Sequence, residues 1–180
     1  MIKKFNKYLS YRNNSLYLDE TSFESIKKKY STPLYCYSLS EIHNNFVELK
    51  KSFKKIRPMI CYAVKANNHN QILSLLSKSG CGADVVSKGE LKKSIDNGIT
   101  PDKIVFSGVG KTKDEIKYAL NKKIKQLNVE SEEELEEIVE IAKVEKKKVN
   151  ICIRVNPDVD PRTHYKISTG RSEDKFGIPN

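Results

Sequence analysis

The sequence predicts an α/β fold, a (β/α)8 TIM barrel that is present here as an incomplete barrel of about five β-α units. From residue 59 onward, short apolar runs typical of buried strands alternate with amphipathic runs typical of helices. Matching positions 60, 83, 104, 125 and 150 are separated by 23, 21, 21 and 25 residues, so one unit is repeated. Strands joined by helices of this length need right-handed crossovers and form a parallel sheet.

Five strands and four helices are predicted in the repeated region. The strands are Met59 to Val64, Gly82 to Ser87, Lys103 to Ser107, Ile124 to Val129 and Val149 to Val155. The helices are His69 to Ser79, Lys88 to Asn97, Lys113 to Asn121 and Ser131 to Lys143. Thr112 and Ser131 are each followed three residues later by glutamate, the pattern of a capping box, and Gly80 and Gly98 are placed to end two helices.

The first part of the chain has a different pattern. Short strands are predicted at Ser15 to Leu18 and at Pro33 to Ser38, on either side of a helix from Ser22 to Tyr30. A longer helix is predicted from Ser40 to Lys55. We therefore divide the chain into a lead-in, residues 1–39, and the barrel units, residues 40–180.

A barrel is favoured over a doubly wound sheet because polar residues follow the strands. In a barrel these positions meet at the mouth where active sites are built. They are Lys65, Ser87, Ser107, Asn128 and Asn156. We interpret Ser107 and Asn128 as ordinary helix N-caps or turn formers. No Gly-x-Gly-x-x-Gly follows the first strand, and the Gly108-Val109-Gly110 run is too short for a dinucleotide fingerprint.

The formal net charge of +10 raises nucleic-acid binding as an alternative function. The basic residues are scattered in short tracts at predicted helix ends, and only five of the 33 are arginines. A glutamate-rich run, residues 132–137, opposes them. Charge alone therefore gives little support to a nucleic-acid partner, and we predict none.

The cysteines and the termini indicate an ordinary cytoplasmic protein. Cys36, Cys61, Cys81 and Cys152 form no Cys-x-x-Cys pair and have no histidine at zinc-ligand spacing, so neither a metal site nor a disulfide framework is predicted. The basic start of the chain lacks the apolar segment of a secretory signal, and no apolar run is long enough to span a bilayer, so no membrane partner is expected.

Lys65 is the most informative candidate for chemistry. It follows the apolar run of the first predicted barrel strand, in Tyr-Ala-Val-Lys-Ala-Asn. An ammonium carried into an enclosed pocket loses hydration, and this favours the neutral amine that can form a Schiff base. The alternative is a lysine that extends from the strand's edge into water.

Five ordered segments resemble the fold-type III pyridoxal-phosphate decarboxylases, over residues from about 15 to 180. They are Thr-Pro-Leu-Tyr-Cys-Tyr-Ser-Leu (32–39), Tyr-Ala-Val-Lys-Ala-Asn (62–67), Gly-Ala-Asp-Val-Val-Ser-Lys-Gly-Glu-Leu (82–91), Arg-Val-Asn-Pro (154–157), and Thr-His-Tyr-Lys-Ile-Ser-Thr-Gly (163–170) with Lys-Phe-Gly (175–177). The last two segments are similar to the diaminopimelate decarboxylase family rather than to the ornithine or arginine enzymes. Alanine racemases share the Val-Lys-Ala-Asn core, but the Asn68-His69-Asn70 that follows it here differs from their sequence.

The resemblance implies a barrel of the alanine racemase-like type, pyridoxal 5'-phosphate as cofactor, and decarboxylation of meso-2,6-diaminopimelate to L-lysine and CO2. It implies Lys65 as the catalytic, Schiff-base lysine, Asp84, Glu90 and Arg154 as further cofactor-binding residues, and His164 in the substrate pocket. It also implies a small amino-acid substrate and a homodimer. Related ornithine- or arginine-type decarboxylation is the alternative activity.

Other interpretations of these residues remain open. Asp84 fits a strand-to-helix turn, Glu90 a first-turn acid favoured by the helix dipole, and Arg154 a structural ion pair. Since the family's glycine-rich phosphate-binding turn, its Glu-Pro-Gly-Arg segment and its C-terminal β-domain would fall beyond residue 180, we expect a fragment or a truncated product. A remnant that holds no cofactor is the corresponding alternative.

Overall fold

The computed structural model describes residues 6–159, 162, 164 and 177–179. The chain forms two compact units, Met1–Arg57 and Pro58–Asn180. Residues 40–57, which the sequence analysis grouped with the barrel units, thus fall in the first of these compact units. The division into residues 1–39 and 40–180 that the sequence suggested remains a prediction.

The first unit contains a small antiparallel sheet and two helices. Strands β1 (Leu9–Arg12), β2 (Ser15–Leu18) and β3 (Thr21–Ser22) pair in that order, and helices α1 (Phe23–Lys29) and α2 (Leu39–Ser52) follow. Ser22 and Ser38 cap the helices through their hydroxyls, which accept the N–H groups of Ser25 and Glu41.

Two features of this unit differ from the sequence-based expectation. Strand β1 was not predicted, and the strand predicted from Pro33 to Ser38 is wrong, because the structure has no strand there. Tyr35 is 89% exposed and Tyr37 58% exposed, so the alternating aromatic pattern of this segment does not mark a buried sheet face. Pro33 also lacks the N–H that a paired strand would use.

The second unit is built on a parallel five-stranded sheet in sequential order, as the repeat predicts. Its strands are β4 (Cys61–Ala63), β5 (Gly82–Val85), β6 (Ile104–Phe106), β7 (Gln126–Val129) and β8 (Ile151–Ile153). The connecting helices are α3 (Asn70–Lys78), α4 (Lys88–Asp96), α5 (Lys113–Lys122) and α6 (Glu132–Val144). The fold is an incomplete (β/α)8 barrel, with β4 and β8 each paired on one side only within this sheet.

The two faces of this sheet differ in burial. The side chains at alternate positions that face the helices form the core and are fully buried. These positions include Ala83, Val85, Ile104, Phe106, Leu127 and Val129. Residues of the opposite parity, such as Ala63, Asp84 and Val105, are partly exposed and lie in register across neighbouring strands. This second face carries the polar side chains.

Helix ends follow the predicted signals closely. Thr112 and Glu115 form a complete capping box on α5. Gly80 and Gly98 adopt φ angles of 83° and 91° directly after α3 and α4, a left-handed conformation in which glycine costs least. Ser131 caps α6, whereas the Glu134 carboxylate accepts the N–H of Glu130 instead of that of Ser131.

A separate two-stranded parallel sheet follows the five-stranded one. Arg154 separates β8 from β9 (Val155–Asn156), and β9 pairs in parallel with β10 (Ile178–Pro179). The Arg154 N–H donates to the Val129 carbonyl, and its own carbonyl accepts the N–H of Ile178. The backbone of Arg154 therefore joins neighbouring strands on both sides. In the described part of the chain no helix combines the length and apolar character needed to cross a bilayer.

Candidate active site

Polar residues lie at or just beyond the carboxyl ends of five consecutive parallel strands. Register pairs Ala63 with Asp84, and Asp84 with Val105. Lys65 lies two residues beyond Ala63, and Arg154 directly follows the last residue of β8. This edge is the location at which barrel enzymes place their active sites.

Lys65 occupies a 3₁₀ turn, Val64–Ala66, that immediately follows β4. The neighbouring Val64 is fully buried, whereas Lys65 is exposed. Among the described residues Lys65 thus matches the alternative of a lysine that extends from the strand's edge into water, and β4 is paired on one side only within this sheet. Within that part of the chain the Lys65 Nζ makes no hydrogen bond or ion pair, and its catalytic role remains a prediction.

Asp84 begins a chain of hydrogen bonds that crosses three strands. The Ser107 hydroxyl donates to Asp84 Oδ1 at 2.6 Å, and Asn128 Nδ2 donates to Ser107 Oγ at 2.9 Å. Gln126 Nε2 then donates to Asn128 Oδ1 at 2.9 Å. Each donor orients the next acceptor, so the Asp84 carboxylate is fixed at the strand edge next to β4.

This chain corrects one interpretation of the sequence. Ser107 and Asn128 are not helix N-caps, because Thr112 and Ser131 cap α5 and α6. Their polar groups are instead used to connect β6 and β7 to Asp84.

Glu90 lies in the first turn of α4, where it closes the turn that precedes the helix. Its Oε2 accepts the backbone N–H of Val86 at 2.9 Å, and its own N–H donates to Ser87 Oγ at 3.2 Å. In a capping box the glutamate side chain accepts the N–H of the N-cap residue, whereas here it accepts the N–H of Val86, one residue before the N-cap Ser87. Glu90 therefore has the structural role of a first-turn acid. A role in cofactor binding remains a prediction.

Arg154 is paired with Glu130, a residue that the sequence did not single out. Arg154 Nη1 lies 3.3 Å from Glu130 Oε2, and the Glu130 side chain is 2% exposed. Glu130 Oε1 also accepts the N–H of Gly108 at 2.6 Å. Family resemblance placed Arg154 beside Asp84 and Glu90, but among the described residues neither of those carboxylates forms an ion pair with it.

Lys111 is a second residue that sequence reasoning missed. Its side chain is 1% exposed, and its Nζ lies 2.6 Å from Glu134 Oε1. It also donates to the carbonyl oxygens of Gly108 and Asn128, both at 2.7 Å. In a chain so rich in surface lysines, no local pattern distinguishes this buried one; only the loop position after the third barrel strand could have marked it.

His164, the predicted pocket histidine, is exposed. Most of the segment around it, residues 163 and 165–176, lies outside the described residues. The structure therefore does not test a pocket role for His164.

The thiol of Cys61 on β4 interacts electrostatically with the Asp84 carboxylate on β5. Partial burial raises the pKa of the Cys61 thiol, and the nearby Asp84 carboxylate raises it further, while Lys125 opposes both. Cys61 is thus kept as a neutral thiol beside Asp84 rather than as a reactive thiolate.

Comparisons with a family model and with curated relatives identify one family over most of the chain. The model of the pyridoxal-dependent decarboxylase family, pyridoxal binding domain, matches residues 39–180. Diaminopimelate decarboxylase from Aquifex aeolicus is 44% identical over 99% of the chain, and that from Helicobacter pylori strain J99 is 48% identical over 87%. The matches cover 42% and 39% of those proteins, so the chain spans about two fifths of their length.

Solved structures agree in fold. The H. pylori diaminopimelate decarboxylase complexed with L-lysine matches 87% of the chain and 40% of its own, with 46% identity and a TM-score of 0.84. The M. jannaschii enzyme in complex with L-lysine matches 97% of the chain and 42% of its own, with 38% identity and a TM-score of 0.89. By its matched residues and its fold, this chain belongs to the pyridoxal-dependent decarboxylases and contains sequence of their pyridoxal binding domain.

Proposed function

We propose that the chain supplies barrel units to a pyridoxal-phosphate-dependent decarboxylase that converts meso-2,6-diaminopimelate to L-lysine and CO2. One observation carries the proposal: a diaminopimelate decarboxylase is 44% identical over 99% of the chain. An arginine decarboxylase structure reaches only 24% identity, which supports a shared fold and no more. L-lysine, the expected product, is the ligand bound in the H. pylori and M. jannaschii structures.

The described side chains fit the chemical groups of the cofactor. An unpartnered primary amine, Lys65, suits an aldehyde, and a carboxylate that is held in place, Asp84, suits a cationic nitrogen. The Arg154 guanidinium suits a carboxylate or phosphate. When bound, pyridoxal phosphate supplies an electron sink for the charge left by the departing CO2.

In this proposal each residue has a distinct role. Lys65 would hold the cofactor through Nζ, and its amine would be the group able to carry a proton at this site. Asp84, fixed by Ser107, stabilises positive charge at the same strand edge. Arg154 is aligned by Glu130, and Glu90 holds the turn between β5 and α4.

Further parts of the proposal concern the environment of the site. His164 would shape the entrance for the amino-acid substrate, and the active protein would be a homodimer. The cytoplasmic location also remains a prediction.

Sedimentation velocity of the protein that contains this chain tests the proposed homodimer. A monomer at assay concentration would contradict it.

The attachment role of Lys65 can be tested directly. We expect pyridoxal phosphate followed by borohydride to leave a reduced adduct on Lys65, detected by peptide mass spectrometry. Lys65→Ala should abolish the adduct, whereas Lys92→Ala, a change at an exposed lysine of α4, should leave it intact. Equal labelling of all surface lysines, or no labelling of the wild-type chain, would contradict cofactor attachment by this chain.

Substrate class needs a separate assay. The protein that contains this chain should release CO2 from meso-2,6-diaminopimelate and form L-lysine, with little activity on L-ornithine or L-arginine. Lys65→Ala should lower kcat by several orders of magnitude because it removes the attaching amine. Preference for ornithine or arginine would replace the proposed substrate by the alternative one.

A further inference from the structure

Lys111 is almost completely buried, and all three of its ammonium donors are used. They bind the Glu134 carboxylate and the carbonyl oxygens of Gly108 and Asn128, at 2.6 to 2.7 Å. A lysine this deeply buried is rare unless it is paired, and its full set of partners offsets the lost hydration. The ammonium therefore fixes the loop after β6 against the end of β7.

Two glutamates extend this contact into a closed ring. Glu134 binds Lys111 through Oε1 and accepts the N–H of Glu130 through Oε2, at 2.8 Å. Glu130 in turn accepts the N–H of Gly108, whose carbonyl returns to Lys111. The ring thus fixes the backbone at Gly108 and at Glu130 together.

The ring contacts the two groups of predicted site residues without including either of them. Lys111 donates to the backbone carbonyl of Asn128, and the side-chain amide of Asn128 donates to Ser107. Ser107 in turn donates to Asp84, the end of this hydrogen-bond chain. Through Glu130 the ring meets Arg154. Lys111 lies where these two connections join.

We propose that Lys111 is a positioning residue that holds Asp84 and Arg154 in their relative places at the carboxyl edge of the sheet. The inference rests on the proposed function, because both residues are proposed to face the cofactor. Lys111 itself touches neither of them and acts through Asn128 and Glu130.

The charges of the group guide the choice of variants. Lys111 and Arg154 balance Glu130 and Glu134, so Lys111→Met alone leaves a nearly buried carboxylate without its cation. The double variant Lys111→Met/Glu134→Gln removes this excess charge, and the glutamine oxygen can still accept the Glu130 N–H. It therefore separates the loss of positioning from the loss of stability.

Lys113→Met is the matched control. Lys113 lies in the first turn of α5 and pairs with Glu137 of α6 at 3.5 Å, but its side chain is 73% exposed. It thus connects the start of α5 to α6, the helix that carries Glu134, but does so at the surface, where ion pairs contribute little.

The first measurement, backbone hydrogen exchange followed by NMR, needs no cofactor. Both Lys111 variants should accelerate exchange at the Gly108 and Glu130 amides about tenfold relative to Phe106 in the core of β6, because Lys111 no longer holds in place the side chains that accept these two N–H groups. The Lys113→Met control should not change these ratios. Unchanged ratios in the double variant would overturn the proposal.

The second measurement is the dissociation constant for pyridoxal phosphate. We expect it to rise about tenfold in both Lys111 variants, including the double variant that leaves no unpaired carboxylate, and to stay constant in the control. Wild-type affinity in the double variant would overturn the positioning role. If the wild-type chain binds no cofactor, the proposed function fails for this chain, and the exchange ratios alone decide on Lys111.

Discussion

Gly82 shows how closely single residues are packed beneath the candidate site. A Cβ at this position would lie 2.4 Å from the Lys103 carbonyl oxygen and 2.8 Å from Cys61 Sγ. Neither neighbour moves easily, since one is backbone and the other belongs to the adjacent strand. The absence of a side chain at Gly82 therefore allows β4 and the segment before β6 to approach β5.

We expect Gly82→Ala to lower the free energy of unfolding by about 1–3 kcal/mol, the usual effect of overpacking. Gly110→Ala is the control, because a Cβ there meets nothing within 4 Å, and its effect should stay within about 0.5 kcal/mol. Urea denaturation of both variants measures the difference. Equal urea midpoints for the two variants would contradict the close packing around Gly82.

Cys61 makes stability depend on pH in a defined direction. Burial, reinforced by Asp84, raises the pKa of its thiol above the ordinary value of 9.0. The folded state therefore keeps its proton where the unfolded chain has lost it. This contribution is fully present below pH 9.0 and is lost as the pH rises through the folded pKa.

Cys61→Ala should therefore make the decline of unfolding free energy above pH 9.0 shallower than in the wild type. Cys152→Ala, which removes an exposed thiol, should leave the slope unchanged. Guanidinium denaturation between pH 8 and pH 10 provides the comparison, and identical slopes in all three proteins would argue against a buried thiol.

Among the elements, α4 and α5 are connected at their amino-terminal ends by Glu115. One carboxylate oxygen accepts the N–H of Lys88 at 2.8 Å, and the other accepts that of Thr112 at 3.0 Å. Burial opposes ionisation, yet these donors outweigh it, so the pKa of Glu115 lies below its ordinary value of 4.5. Its stabilisation is present above that value and is lost as the pH falls through the folded pKa.

Glu115→Ala should therefore lower unfolding free energy at neutral pH by about 1 kcal/mol and reduce the further loss on acidification below pH 4.5. Glu136→Ala, at an exposed position of α6 with no recorded partner among the described residues, should change neither quantity appreciably. Thermal melts between pH 3 and pH 7 measure both effects. A larger acid sensitivity in Glu115→Ala would contradict the lowered pKa.

The elements also show what local sequence can predict. The apolar period and the capping residues around Thr112, Gly80 and Gly98 predicted the order of the barrel units because both signals are local. The strand predicted from Pro33 to Ser38 is wrong because a short strand-like segment does not by itself establish a partner strand. Lys111 and Glu130 were missed because their burial depends on loops brought together only by the sheet.

At the scale of the whole molecule, the two compact units meet in sequence at a basic, exposed segment. Every residue from 51 to 59 is exposed, and the unit boundary falls after Arg57. Lys54 and Lys55 follow the end of α2 and precede the first barrel strand. Exposed segments outside helices and strands are the preferred sites of proteolytic cleavage.

Brief trypsin treatment should therefore cut first after Lys54 or Lys55, because proline at position 58 protects the bond after Arg57. Mass spectrometry should identify a resistant fragment that begins at residue 55 or 56 and contains the barrel strands. Lys54→Gln/Lys55→Gln should slow this first cut, whereas Lys92→Gln and Lys93→Gln on α4 should not, because those lysines lie within a packed helix. A first cut inside α4 or α5 would show that the barrel units open more readily than the segment that precedes them.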